Sequence, residues 1–141
     1  MFAMKELKFL IASKIELIEV IEQSCDFFMK KMCNINEDHA YWFMVGFHEI
    51  LINAYFHGNK KNENLFIKIH LSYRSGELKA RVSDRGEGFN EADIPDPTKP
   101  ENLLKPSGRG ILFARKSCDK VSFKKEKEWF TVEIIKKVKE V

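Results

Sequence analysis

Hydrophobic and polar positions recur with two different periods along this chain, and each change of period marks a predicted element. Residues 7–12 form a short apolar run that predicts a first strand. Beyond it Ile15, Ile18, Ile21 (or Glu22), Cys25, Phe28 and Met32 recur at steps of three and four, the spacing of one buried helix face. Ser13 and Glu16 make an S-x-x-E capping box at its start, so a helix is expected to about Met32. Asn34-Ile35-Asn36 reads as a turn whose last residue can cap a second helix, from about residue 37 to 57. Tyr41 to Phe47 is apolar almost all round, which makes that helix central, and Gly58-Asn59 is a good stop signal.

After the polar stretch Lys60-Lys61-Asn62-Glu63-Asn64 the period shortens to two. Leu65, Ile67, Ile69, Leu71 and Tyr73 alternate with Phe66, Lys68, His70 and Ser72, and Leu78, Ala80 and Val82 resume the alternation after Ser75-Gly76. The pair predicts a β-hairpin ending at Asp84. Residues 85–110 then lose all periodicity and hold four of the seven glycines and all four prolines. A long irregular segment of that kind inside a compact domain is usually functional. Ile111, Ala114, Arg115 and Cys118 suggest a short helix, and strands at 121–123 and 130–135, joined by the charged turn 124–128, close the chain. Strands grouped around helices in this way predict an α+β layer structure rather than an alternating parallel sheet.

Composition narrows the class. A chain of 141 residues, 44% hydrophobic and 32% charged, suits a single soluble domain spanning 1–141 and excludes disorder, collagen and a membrane bundle. The net charge of +3 is too small and dispersed to indicate nucleic-acid binding. The eight lysines from Lys116 to Lys139 are mixed with Asp119, Glu126, Glu128, Glu133 and the adjoining Glu140, as on a solvated face. Cys25, Cys33 and Cys118 form no C-x-x-C pair and read as reduced thiols, which implies the cytoplasm. No stretch resembles a signal peptide or approaches the roughly 18 apolar residues of a membrane span.

Three clusters could carry chemistry. Glu49 and Asn53 lie four residues apart on one face of the second helix, where a carboxylate and an amide oxygen could serve as general base and hard-cation ligand. The same pair would also suit a solvated helix face, except that the helix is apolar nearly all round and polar residues there need partners. Asp84-Arg85-Gly86-Glu87-Gly88-Phe89 ends a strand in a carboxylate followed by two glycines, which suits either a β-bulge loop or a site accepting a hydrogen bond from an exocyclic amine. Ser107-Gly108-Arg109-Gly110 precedes the short helix, where free N–H groups, the helix dipole and a guanidinium favour an anion. None of the three matches an EF-hand, a P-loop or a Rossmann fingerprint.

Together and in this order the clusters resemble a known superfamily. His48-Glu49-Ile50-Leu51-Ile52-Asn53-Ala54-Tyr55-Phe56-His57-Gly58-Asn59 resembles the N box of the GHKL ATPases, which include gyrase, the ninety-kilodalton heat-shock chaperone, histidine kinases and mismatch-repair ATPases. Asp84 to Phe89 and Pro106-Ser107-Gly108-Arg109-Gly110-Ile111 are similar to its two glycine boxes. Within the superfamily the chain is most similar to the anti-sigma factor serine kinases. That resemblance implies a Bergerat two-layer α/β sandwich, with a mixed, mostly antiparallel sheet and helices on one face. By the resemblance, Glu49 is the catalytic carboxylate, Asn53 the Mg²⁺ ligand and Asp84 the adenine-reading acid. Gly86 and Gly88 shape the adenine pocket, Gly108, Arg109 and Gly110 bind phosphate, and residues 90–107 form an ATP lid ordered by nucleotide.

The implied activity is transfer of the ATP γ-phosphoryl group to a serine or threonine of a STAS-type anti-anti-sigma protein, in competition with a sigma factor for the kinase. A homodimer is implied too, with no direct nucleic-acid or membrane contact, and the start near the first family strand suggests a stand-alone domain. Two other functions are compatible with the same residues. One is an ATP-binding module that sequesters a sigma factor or other regulator without appreciable phosphotransfer. The other is the detached catalytic domain of a histidine kinase.

Overall fold

The computed structural model describes residues 3–89 and 109–141, with Arg109 described by its backbone alone. The expected lid at 90–107, Gly108 and the Arg109 side chain lie outside the described residues. Strand β1 spans Lys5–Ala12, helix α1 Ile15–Phe27 and helix α2 Glu37–Asn53, each helix continuing into a π-helical turn, Phe28–Met32 and Ala54–Gly58. Strands β2 (Phe66–Arg74) and β3 (Glu77–Asp84) follow, then helix α3 (Arg109–Ser117) and strands β4 (Lys120–Glu126) and β5 (Trp129–Lys137). The strands form one sheet in the order β1-β2-β3-β5-β4. All its pairings are antiparallel, so among the described residues the expected parallel component of a mixed sheet does not occur.

Period-two patterning settles which face is which. Registration aligns Phe9, Ile69, Val82, Val132 and Phe123 in one row across all five strands, and Leu7, Leu71, Ala80, Ile134 and Val121 in the next. These rows form the floor of the core together with Phe28, Phe43, Phe47 and Ile50 from the helices. Burying each such phenylalanine contributes about 1.5–3 kcal/mol. The same alternation carries Asp84, paired with Phe130, onto the helix-covered face. The opposite face is open and charged. A shallow hollow of about 800 Å³ lies there, lined among others by Lys8, Lys68, Arg81 and Glu133, on the far side of the sheet from Asp84. The β2–β3 hairpin turns through Ser75 and Gly76, both with positive φ (48° and 78°), as a two-residue turn matched to strand twist requires.

Helix α2 packs against α1 and α3 and onto β3 and β5, the central place its apolar girth predicts. Its start is as expected, with the Asn36 side chain accepting a hydrogen bond from His39 N at 2.8 Å. The predicted capping box at α1 does not form. Ser13 lies in a tight turn closed by Lys14 N donating to Ala12 O at 2.8 Å, its own N–H donates to Leu65 O at 3.0 Å, and Lys14 at φ −126° holds the cap position. The Ser13 hydroxyl is therefore fully buried without a partner. The π turn after α1 also moves the buried face on by one residue. Cys33 is buried where the regular spacing predicted Met32, which is 42% exposed, and Ile15 at the other end is 37% exposed.

Two asparagine and serine positions with similar capping signatures are thus expected to respond oppositely. Asn36→Ala should lower unfolding free energy by about 1 kcal/mol through loss of a cap. Ser13→Ala, which removes an unpaired buried hydroxyl, should leave it unchanged or raise it by about 1 kcal/mol. Urea unfolding of both variants measures this, and a loss for Ser13→Ala would restore the capping role.

Candidate functional site

The site is built along α2 and its π-helical extension. Glu49 and Asn53 project from one face of α2, both partly buried. Over them lies the first turn of α3. A Cβ at Gly110 would stand 2.7 Å from Glu49 Oε2 and 3.3 Å from Asn53 Nδ2, so a side chain there would displace the Glu49 carboxylate from its place against the α3 backbone. The other end of α3 is seated the same way, because a Cβ at Gly46 of α2 would stand 2.8 Å from Cys118 Sγ and 2.9 Å from Ser117 Oγ. Contacts of Gly46 with 117–118 and of Glu49 and Asn53 with Gly110 mean that α3 runs antiparallel along α2. Two of the three sequence clusters meet there.

The third is reached at the end of the same helix. The π turn brings Gly58 against Asp84, so tightly that a Cβ at residue 58 would collide with the carboxyl group. Gly86 lies on the Gly58 backbone, where a Cβ would be 2.6 Å from Gly58 O. Asp84 is 5% exposed, and its Oδ1 accepts a hydrogen bond from Gly86 N at 2.7 Å. Burial pushes the carboxyl pKa from its ordinary 3.8 up to about 6, against the opposing pull of the Gly86 N–H and the Lys125 ammonium. Lys125 Nζ itself donates to Gly86 O at 2.7 Å. From Glu49 to Gly58 the helix axis extends on the order of 13 Å, the reach of an elongated ligand rather than a compact one.

Sequence patterning singled out Gly88, but not the aromatic pair Phe123 and Phe130 against which its loop rests. Gly88, at φ 79°, passes over the Phe130 ring so closely that any side chain would enter it. This lays Phe89 edge-on to Phe123 and Phe130, at ring-centre distances of 4.9 and 5.1 Å. The available signal was the pair of phenylalanines on facing strands β4 and β5, two residues out of register and so on the same face. His48 does not join Glu49 but turns to α1, with Nδ1 2.5 Å from Glu22 Oε1. Among the described residues no three acids, cysteines or histidines gather as a metal site. The Glu49–Asn53 pair supplies too few oxygens to hold a divalent cation unaided, which suits Mg²⁺ carried largely by phosphates and water.

A family model for the histidine kinase-like ATPase domain matches residues 19–136. The chain belongs to that family. Its members use ATP, and the fit here is of two kinds: a buried acceptor at Asp84, and a glycine-bared helix start above Glu49 and Asn53. The histidine kinase-like ATPase fold is seen again in the crystal structure of the RsbU and RsbW domains of Rv1364c from Mycobacterium tuberculosis, to which this chain is similar with a TM-score of 0.69 at 12% identity. That superposition covers 95% of this chain and 32% of the other, so the chain spans about a third of that structure's length. No curated protein matches the chain significantly.

The raised pKa of Asp84 fixes the sign of a pH effect. Its folded form binds the proton more tightly than the unfolded chain does. The group therefore favours folding most below about pH 4, and that contribution is lost as pH rises through about 6. The loss is roughly 3 kcal/mol at two pK units. Asp84→Asn should accordingly be more stable than the parent by roughly 1–3 kcal/mol at pH 7.5 and nearly equal to it at pH 4. Denaturant unfolding of the two proteins at both pH values measures the difference, and equal stability at pH 7.5 would contradict the assignment.

Proposed function

We propose that this protein is an ATP-dependent serine/threonine kinase acting as an anti-sigma factor, with a STAS-type anti-anti-sigma protein as its phosphoryl acceptor. One observation carries the reading: Glu49 and Asn53 lie beneath the start of α3 while the same helix delivers Gly58 to Asp84. This orders, along one line, a carboxylate, an amide ligand and a buried base-reading acceptor. Similarity in fold to a structure of RsbU and RsbW domains supports the same reading.

In this reading Asp84 accepts a hydrogen bond from the exocyclic amine of adenine, beside Gly86 and Gly88. Asn53 would contribute one oxygen to Mg²⁺, and Gly108, Arg109 and Gly110 would bind phosphate. Bound Mg²⁺ neutralises charge on the phosphoryl oxygens. Glu49 takes the proton of the acceptor hydroxyl as its oxygen bonds to the γ-phosphorus and the β–γ bridging bond breaks, releasing ADP. The chemistry asks mainly for positioning, which two helices locked by glycine contacts supply. We further place the protein in the cytoplasm as a homodimer that holds either the unphosphorylated STAS protein or a sigma factor. No described helix is long and apolar enough to cross a membrane.

Incubation with Mg·ATP and each STAS protein of the same genome, read by intact mass, should show one of them gaining a single phosphoryl group. Glu49→Ala should slow that transfer about 100-fold or more while ATP affinity changes by less than about threefold. ATP binding without transfer to any STAS protein would instead favour the sequestering module. Absence of ATP binding would remove the whole reading. Sedimentation at micromolar concentration is expected to give a dimer, and a monomer would remove that part.

A further inference from the structure

Asn59 follows the π turn of α2 and is 2% exposed, yet no part of the chemistry above uses it. All four of its polar groups are engaged. Its N–H donates to Ala54 O at 2.8 Å and its backbone oxygen accepts from Asn62 N at 2.9 Å. The side chain spans two strands: Nδ2 donates to Phe66 O at 3.0 Å where β2 begins, and Oδ1 accepts from Arg85 N at 2.8 Å just past the end of β3. One buried amide thus ties the end of the helix bearing Glu49 and Asn53 to the turn bearing Asp84.

The bond to Arg85 N matters most. That N–H belongs to the peptide joining Asp84 to Arg85, and the next N–H, of Gly86, holds Asp84 Oδ1 at 2.7 Å. Fixing the first peptide fixes the direction of the second, and with it the plane of the carboxylate. The Gly86 N–H and the close-packed Gly58 backbone together hold the Asp84 carboxylate, so its orientation depends on the turn and the helix end that Asn59 ties to each other. An acceptor aimed in one direction favours an exocyclic amine and opposes a carbonyl oxygen at the same place, which is the difference between adenine and guanine.

We propose that Asn59 is a positioning residue that sets the preference of this site for adenine over guanine nucleotides, by fixing the Asp84–Gly86 turn against the end of α2. The proposal rests on the nucleotide-site reading of Asp84. Replacing Asn59 by alanine leaves the Arg85 N–H and the Phe66 carbonyl without their buried partner. The turn then relaxes, and Asp84 loses its direction while Glu49, Asn53 and α3 are untouched. The signature is a loss of discrimination rather than a uniform loss of affinity.

The test compares dissociation constants for Mg·ATP and Mg·GTP in the full chain, in Asn59→Ala, and in Ile21→Ala, a core truncation on α1 that controls for general destabilisation, at a temperature where all are folded. The parent is expected to prefer ATP by about tenfold or more. Asn59→Ala should reduce that ratio at least about fivefold, and Ile21→Ala should preserve it. A ratio in Asn59→Ala within about twofold of the parent, or an equal fall in Ile21→Ala, overturns the proposal and leaves the nucleotide site standing. A parent that binds neither nucleotide, or both equally, overturns the reading of Asp84 and this proposal with it. Should Asn59→Ala not fold, amide exchange in the parent decides: Arg85 N–H is expected to be as protected as the β2–β3 ladder, and exchange at the rate of an unprotected amide overturns the proposal.

Discussion

A carboxylate on the apolar side of a sheet is the constraint around which this molecule is arranged. Leu78, Ala80 and Val82 occupy the core-facing positions of β3, and the next such position holds Asp84. Burying an acid there is unfavourable, as its raised pKa records, and the surroundings limit rather than abolish the penalty. One N–H and one ammonium lie close, and two glycines take the space that side chains would otherwise claim. From this follow the end of α2 at Gly58, the close passage of Gly86 over it, and the aromatic cluster that holds the loop beyond. A sequence optimised for stability alone would place a hydrophobic residue at 84, and its retention as an acid is the mark of a site.

Helix packing performs the complementary task on the other side. Gly46 and Gly110 are 64 positions apart in the chain, and each removes a side chain from the seam between α2 and α3. The antiparallel seat that results carries the start of α3 onto Glu49 and Asn53. Membership of the histidine kinase-like ATPase family accounts for the conjunction, but the contacts explain how it is achieved in this chain.

Much of the fold was legible because its period is clean. The β2–β3 hairpin, the cap at Asn36, the stop at Gly58-Asn59 and the central place of α2 all follow from local patterns, and the boundaries fall within a few residues. Failures arose where a partner distant in sequence decides. Ser13 has every local attribute of a helix cap, yet its amide is claimed by Leu65 and the chain turns there before the helix starts, leaving the cap position to Lys14. The buried face of α1 was misplaced at Met32 because spacing assumes a regular helix, whereas the π turn inserts a residue. At the site, Glu49, Asn53 and Asp84 stood out as polar residues in apolar company. Asn59 did not, since as a helix terminator it already had a sufficient local explanation. Its role depends on Arg85, 26 residues away.

The π turn at Ala54–Gly58 has a consequence for how this chain tolerates changes of length. In it Asn59 N reaches back five residues to Ala54 O, one more than an α-helix allows. Deleting any one residue from the turn would let the regular helix continue and swing everything beyond it by about 100° around the axis. Gly58 would leave Asp84, and a residue with a side chain would arrive in its place. A few residues further on, the exposed stretch 60–64 could gain or lose a residue with little effect on the seam. The molecule therefore measures this part of itself by counting, and relatives that share the site are expected to place their alignment gaps after Asn59 and not between it and Asn53.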